Sequence, residues 1–204
     1  MPTSSLTGKL HDRLVLNRRA TILAKHLTTL LPPGANVLDI GCGDGVIDHL
    51  TQQMRPDVRI EGIDVLVRPR RRIPVKLFDG STIPHCDASF DVAMFIDVLH
   101  HTVNPLLLLR EAARVAGVII IKDHLREGFL AKATLRVMDW FGNAHHEVAL
   151  TYNYWSDAEW RGAFCLLGVV PSKRINSLGL YPIPASWLFE RNLHFMVKLD
   201  RANS

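Results

Sequence analysis

The run from Val37 to Gly45, Val-Leu-Asp-Ile-Gly-Cys-Gly-Asp-Gly, limits what this chain can fold into more than any other stretch. A short apolar segment of strand type feeds directly into three glycines at alternate positions. Glycine reaches positive φ without strain and lets backbone come into contact with another molecule, and a helix that follows directs its unpaired N–H groups over the turn. The expectation is a strand, a tight ligand-binding turn and a helix. A dinucleotide fingerprint, G-x-G-x-x-G, would need glycine at position 46, and Val46 stands there.

The rest of the chain alternates around that unit. Leu16, Ala20, Leu23, Leu27 and Leu30 recur at helical spacing and predict a helix over 13–31, stopped by Pro32-Pro33-Gly34. Residues 36–40 form the first strand, and Ile47, Leu50 and Met54 mark the buried face of the helix behind the glycine turn. Strands follow at 58–64 and 75–78, the latter closing on Asp79-Gly80. The apolar run 90–96 reads as a central parallel strand covered on both faces. Asn104 and Pro105 supply the cap and first position of a helix reaching Ala116 and ended by Gly117. Val118-Ile119-Ile120-Ile121 is a fifth strand, running out at Lys122-Asp123-His124. From about 123 to 155 the alternation breaks: Phe129, Ala133, Val137 and Phe141 suggest one helix, and an irregular stretch rich in histidine and tyrosine follows. Ser156 and Glu159 form a capping box for a helix through Trp160, Phe164 and Leu167, ended by Gly168. Polarity alternates over 192–199, predicting a strand with one better-buried face, paired antiparallel with 174–178.

Preceded by Asp39, the pattern Asp39-x-Gly41-x-Gly43-x-Gly45 resembles the first motif of class I S-adenosylmethionine (SAM) methyltransferases. Asp64 ends the second strand at the spacing of about 20 residues where an acid accepts ribose hydroxyls in doubly wound folds. With Phe78-Asp79-Gly80 and the segment from Phe90-Asp91 to Leu99-His100-His101, the resemblance covers nearly the whole chain. The last two motifs look most like the small-molecule branch that includes ubiquinone and menaquinone methyltransferases. The fold so implied is α/β, a Rossmann-like doubly wound, mostly parallel seven-stranded sheet with an antiparallel C-terminal strand and an insertion after the fifth strand. One domain over 1–204 accommodates it, with 123–155 covering the acceptor.

The resemblance implies SAM as cofactor. Gly41, Cys42 and Gly43 would pass under its methionine and ribose portions, and Asp39 would fix the turn or the ligand amine. Asp64, followed by Val65, would hold the ribose; Asp79 would accept from the adenine amino group and Gly80 would offer backbone; the carbonyl near Phe95 or Ile96 would face the methionine end. Cys42 also reads as a small filler, and Asp91 as support at a strand start. Ligands of such sheets lie beyond the C-terminal strand ends, which brings His100, His101, Asp123 and His124 near the acceptor, with His101 and His124 the expected catalytic pair. Methyl transfer from a sulfonium is an in-line displacement, so a base is needed only where the acceptor must lose a proton.

Composition narrows the partners. Net charge is +4, and the run Arg68-Pro69-Arg70-Arg71-Arg72 lacks interleaved aromatics, so it reads as a solvated loop and no nucleic-acid partner is expected. Cys42, Cys86 and Cys165 have neither disulfide nor zinc spacing, which fits a reducing cytoplasm. No apolar run is long enough to span a bilayer. His145-His146-Glu147 has no i, i+4 partner, and no metal is expected. Tyr152, Tyr154 and Trp155 either wall the acceptor or seat the capped helix. A mean hydropathy of +0.09 leaves room for a well-filled core, an apolar acceptor, a dimer or a bilayer face. The reading is a methyltransferase acting on a small-molecule or lipid-like acceptor; the alternatives are a nucleic-acid methyltransferase and a SAM-binding relative without turnover.

Overall fold

A computed structural model describes residues 6–128, 130–143 and 152–202, with side chains described from residue 17 and not over 139–143. In chain order the elements are α1 (Leu6–Leu30), β1 (Asn36–Ile40), α2 (Val46–Met54), β2 (Arg59–Asp64), β3 (Val75–Leu77), β4 (Phe90–Ile96), a 3-10 turn (Leu99–His101) and α3 (Pro105–Val115). They continue with β5 (Ala116–His124), α4 (Ala131–Asn143), α5 (Asp157–Leu167), β6 (Val169–Ile175), α6 (Ala185–Phe189) and β7 (His194–Arg201). The seven strands form one sheet in the order β3-β2-β1-β4-β5-β7-β6. Strands β1 to β5 run parallel, and β7 is antiparallel to both β5 and β6.

The sheet is built from side chains that water cannot reach. Val37, Leu38, Ile40, Val92, Ala93, Met94, Phe95, Ile120 and Ile121 are wholly buried, on alternating faces. Leu38, Phe95 and Ile121 pack with α3 and α5 side chains such as Leu109 and Phe164, while Val37, Met94 and Ile120 pack with Leu23 and Leu27 of α1. Each such burial contributes about 1.5–3 kcal/mol, which is why these strands are β-branched runs rather than alternations. Helix α5 starts where the capping box predicts: Glu159 N–H donates to Ser156 Oγ at 3.3 Å and Ser156 N–H to Glu159 Oε2 at 2.6 Å.

Two expectations need correction. The helix after Asn104 ends at Val115, and Ala116 is already extended at φ −138°, so Gly117 lies inside β5 and terminates nothing. Residues 194–201 are not a one-faced strand: β7 sits between β5 and β6, and His194, Phe195, Met196 and Val197 are all buried. Alternating polarity misled because His194 is polar yet interior. The stretch His145-His146-Glu147 lies outside the described residues, as does part of the segment expected to cover the acceptor.

Candidate active site

The C-terminal ends of β1, β2 and β4 meet at the glycine turn. Gly41 has φ +82°, and a Cβ there would lie 2.6 Å from Val98 Cγ2; at Gly45, φ +72°, it would lie 2.5 Å from Ile73 Cγ1. The turn is thus clamped between the segments after β4 and before β3, and only glycine fits. Gly43 differs: the nearest atoms to its Cβ direction belong to the Arg68 guanidinium at 3.8 Å, the far end of a long side chain. The Gly43 backbone is therefore covered by a flexible side chain rather than by core or backbone.

Asp64 stands beside Gly43. Its Oδ2 accepts from Gly43 N–H at 2.8 Å and its Oδ1 from Leu66 N–H at 2.9 Å, so both oxygens are positioned and each retains a lone pair. Val65 and Leu66 expose 60% and 49% of their surface, unusual for aliphatic side chains at the end of a buried strand. A Cβ on Gly80 would lie 3.2 Å from Val65 Cγ1, making these residues two sides of one apolar shelf. Asp79 is exposed, its Oδ1 accepting from Ser81 and Thr82 N–H at 2.7 Å each. Cys42 is half-buried; a Cβ on Gly62 would stand 2.3 Å from its sulfur, so it fills space against β2. Asp91 braces the first strand by accepting from Asn36 N–H at 2.8 Å. Ile96 ends β4, half-buried, in register with Lys122.

Beneath the turn, Asp39 of β1 meets Asp48 of α2. Both are buried, and Asp39 Oδ1 and both Asp48 oxygens lack a donor apart from each other's carboxyl. Burial, then the facing Asp48 charge, pushes the Asp39 carboxyl well up, and burial pushes Asp48 up as well. Two carboxyls in this setting are held together by a shared proton.

A second cluster fills the C-terminal ends of β4, β5 and the start of β7. Lys122 is completely buried, paired with Asp97 and 3.4 Å from His194 Nδ1. Asp97 also pairs with Arg19 of α1, takes φ +60°, and donates its N–H to Lys122 O at 2.8 Å. Burial pushes the Asp97 carboxyl up, but Arg19, Lys122 and the nearby imidazoles overcome this and hold it well below the usual range. Burial lowers Lys122, with Asp97 opposing the shift. One turn further on, His100 Nδ1 lies 2.6 Å from Asp123 Oδ1, with both residues buried. Leu99 N–H holds Asp123 Oδ2 at 3.0 Å, and His124 N–H holds Oδ1 at 2.8 Å. Burial alone would raise Asp123; the facing His100 and His124 win and hold it well below the usual range. Burial, then Lys122, lowers His124 and His194. Tyr154 stacks over His100 at 5.7 Å between centroids, and Asn153 N–H donates to His100 O at 3.0 Å, so Asn153 and Tyr154 pack on this cluster.

Of the two expected catalytic residues, His124 belongs to the buried cluster, and His101 is half-buried beside His100, ring centroids 4.0 Å apart. Sequence reasoning passed over Arg19, Asp97, Lys122 and His194. One signal was present: a lysine that directly follows three isoleucines of a central strand, once buried, needs a buried acid. The donor atoms of His100, Asp123 and His124 lie within 4.8 Å of one another and could gather round a cation. The donor chemistry fits poorly, because Asp123 already accepts two backbone N–H groups and one imidazole, and Lys122 and Arg19 place positive charge nearby.

Residues 14–168 match a family model described as a methyltransferase domain. The chain is 30% identical over 119 residues to 27-O-demethylrifamycin SV methyltransferase of Amycolatopsis mediterranei (strain S699), covering 51% of this chain and 43% of that protein. It is 37% identical over 78 residues to the tRNA (carboxymethyluridine(34)-5-O)-methyltransferase of Schizosaccharomyces pombe (strain 972 / ATCC 24843), covering 36% of this chain and 32% of that protein. The chain thus spans less than half the length of these curated relatives. In fold it is similar to geranyl diphosphate C-methyltransferase from Streptomyces coelicolor A3(2), solved with Mg2+, geranyl diphosphate and S-adenosyl-L-homocysteine: TM-score 0.70 and 16% identity over 98% of this chain and 88% of that one.

Proposed function

The chain belongs to the methyltransferase-domain family, and on that premise we propose that it transfers the methyl group of SAM to a hydroxyl of a small-molecule acceptor. The cofactor would lie across the glycine turn, ribose on Asp64, adenine on the Val65–Gly80 shelf near Asp79, and methionine over Gly41 toward Ile96. Asp39 and Cys42 support the turn from below.

The observation that carries the acceptor chemistry is the buried His100–Asp123 pair at 2.6 Å, at the strand ends where an acceptor would sit. Donation of Nδ1–H to Asp123 fixes the tautomer and leaves Nε2 as the basic nitrogen. In the step proposed, the acceptor oxygen attacks the methyl carbon, the C–O bond forms as the S–C bond breaks, and the hydroxyl proton passes to His100 Nε2. S-adenosylhomocysteine leaves neutral at sulfur. Asp123 stabilises the resulting imidazolium, while His101 and His124 flank the ring. An acceptor without a proton to lose, such as a tertiary amine, would not need this pair. The test is labelled SAM with simple phenols and alcohols as probe acceptors: transfer that requires His100 supports the reading, and transfer indifferent to His100→Gln refutes it.

A second reading rests on the similarity to the tRNA methyltransferase and on Arg70, Arg71 and Arg72, which are all exposed. It predicts RNA binding that weakens steeply with salt.

A further inference from the structure

We propose that the face formed by α4 and the α6 segment docks onto an anionic lipid bilayer. Because β6 runs antiparallel to β7, as β5 does, its C-terminal end lies with those of β1 to β5. The β6–β7 connection carrying α6 and the helix α4 that follows β5 therefore project from the same edge of the sheet as the candidate active site. They are joined: Arg191 Nη2 donates to Thr134 Oγ1 at 3.1 Å, and Leu193 packs with Ala131, Leu135 and Tyr154.

Their outer surface is unusually apolar. Ile183, Trp187 and Leu188 expose 74%, 72% and 51% of their surface, and Leu130 and Val137 expose 57% and 49%. Single exposed apolar residues need no explanation, but five on two tethered segments do. Helix α4 already buries an inward stripe of Ala131 and Leu135, so Ala133 and Val137, four residues apart, face solvent from its other side, with Leu130 exposed just before the helix begins. The occupant is indicated by charge. Lys132, Arg136 and Arg191 are exposed around these side chains and form no ion pair with a carboxylate among the described residues. Arg136 stacks over Tyr152 at 4.9 Å, and Arg191 donates to Leu188 O at 3.1 Å, so both cations are held at the rim of the patch. Apolar side chains including tryptophan, ringed by lysine and arginine, match the acyl boundary and phosphate level of an interface. A second copy of this chain would bring the same cations against one another.

Co-sedimentation with vesicles of phosphatidylcholine alone and of phosphatidylcholine mixed with phosphatidylglycerol tests this without reference to methyl transfer. The expected result is tighter binding to the anionic vesicles and a blue shift in tryptophan emission that Trp187→Phe removes. Trp187→Ser with Leu188→Ser should weaken binding at least tenfold, and Lys132→Ser about fivefold, a phospholipid-facing cation being worth ~1 kcal/mol. SAM affinity, measured by calorimetry, should stay unchanged and so report intact folding. Absence of vesicle binding, binding indifferent to Trp187 and Leu188, or a dimer that the same double variant dissociates would each overturn the proposal.

Discussion

His100 and Asp123 are joined through Nδ1 and Oδ1 at 2.6 Å in a space that excludes water, and the carboxylate is fixed from its other side by Leu99 N–H at 3.0 Å. The carboxylate cannot turn away, so the imidazole has one tautomer and one orientation. Asp123→Asn keeps the shape but offers the amide N–H where the acceptor oxygen stood. If the pair is the base, transfer should fall by about 10²- to 10⁴-fold while SAM affinity changes by less than about twofold. Turnover with acceptor alcohols, alongside calorimetry on the same variant, checks both halves; equal loss of binding and transfer would mean that the pair only supports the fold.

Asp64 accepts from Gly43 and Leu66 N–H groups and is predicted to accept the ribose hydroxyls as well. Hydrogen bonds to a charged group are worth ~1.5–3 kcal/mol, so Asp64→Ala should weaken SAM binding by roughly 10- to 150-fold. Calorimetric affinity unchanged in a folded variant would remove the ribose role.

The Asp39–Asp48 pair gives the protein a pH-dependent stability. Burial raises Asp48 to about 7 and raises Asp39 above its ordinary value of 3.8, so the folded protein binds more protons than the unfolded chain. Stability from the shared proton is complete below about pH 4 and is lost as pH rises through about 7. The loss is on the order of 3 kcal/mol, a fall in Tm of about 6–12 °C between pH 5 and pH 8. Asp48→Asn cannot titrate and should flatten that slope. A wild-type Tm that rises from pH 5 to 8 would contradict the shared proton.

Lys122 supplies a fourth test. Removing one partner of a buried ion pair costs about 3–5 kcal/mol, so Lys122→Met should lower stability by that order even though the side chains match in length. Arg19 remains on Asp97 in that variant, placing the loss at the lower end. Denaturant unfolding showing no change would mean that Asp97 depends on Arg19 alone.

What could be read in advance followed from local rules. The glycine turn, the capping box at Ser156 and Glu159 and the apolar strands each depend on residues close in sequence, and their positions agree with the structure to within a few residues. The placement of β7 could not be read this way, because β5 and β6 flank both its edges inside the sheet and His194 is interior, 3.4 Å from Lys122 Nζ through Nδ1 and donating Nε2–H to the Phe189 carbonyl at 3.1 Å. The ion cluster joins Arg19 of α1, Asp97 just after β4, and Lys122 and Asp123 of β5. No spacing within the chain encodes such a meeting. Of the adjacent histidines, His100 rather than His101 faces Asp123, a choice set by the 3-10 turn after β4.

The salt dependence of RNA binding separates the two acceptor readings. Engagement of Arg70, Arg71 and Arg72 with phosphates would give a log–log slope of about −2 on single-stranded RNA, from ~0.7 per contact. The small-molecule reading predicts no measurable RNA binding at physiological salt, and changing the three arginines to serine should lower turnover less than about tenfold. Tight, steeply salt-dependent binding that this variant abolishes would favour the tRNA-like acceptor.

The most direct measurement is mass spectrometry of a small-molecule extract incubated with the pure protein and methyl-labelled SAM. A product heavier by one labelled methyl is expected, formed with wild type and absent with His100→Gln, which still binds SAM. No labelled product from wild type that binds SAM, or the same product in equal amount from His100→Gln, would contradict this expectation.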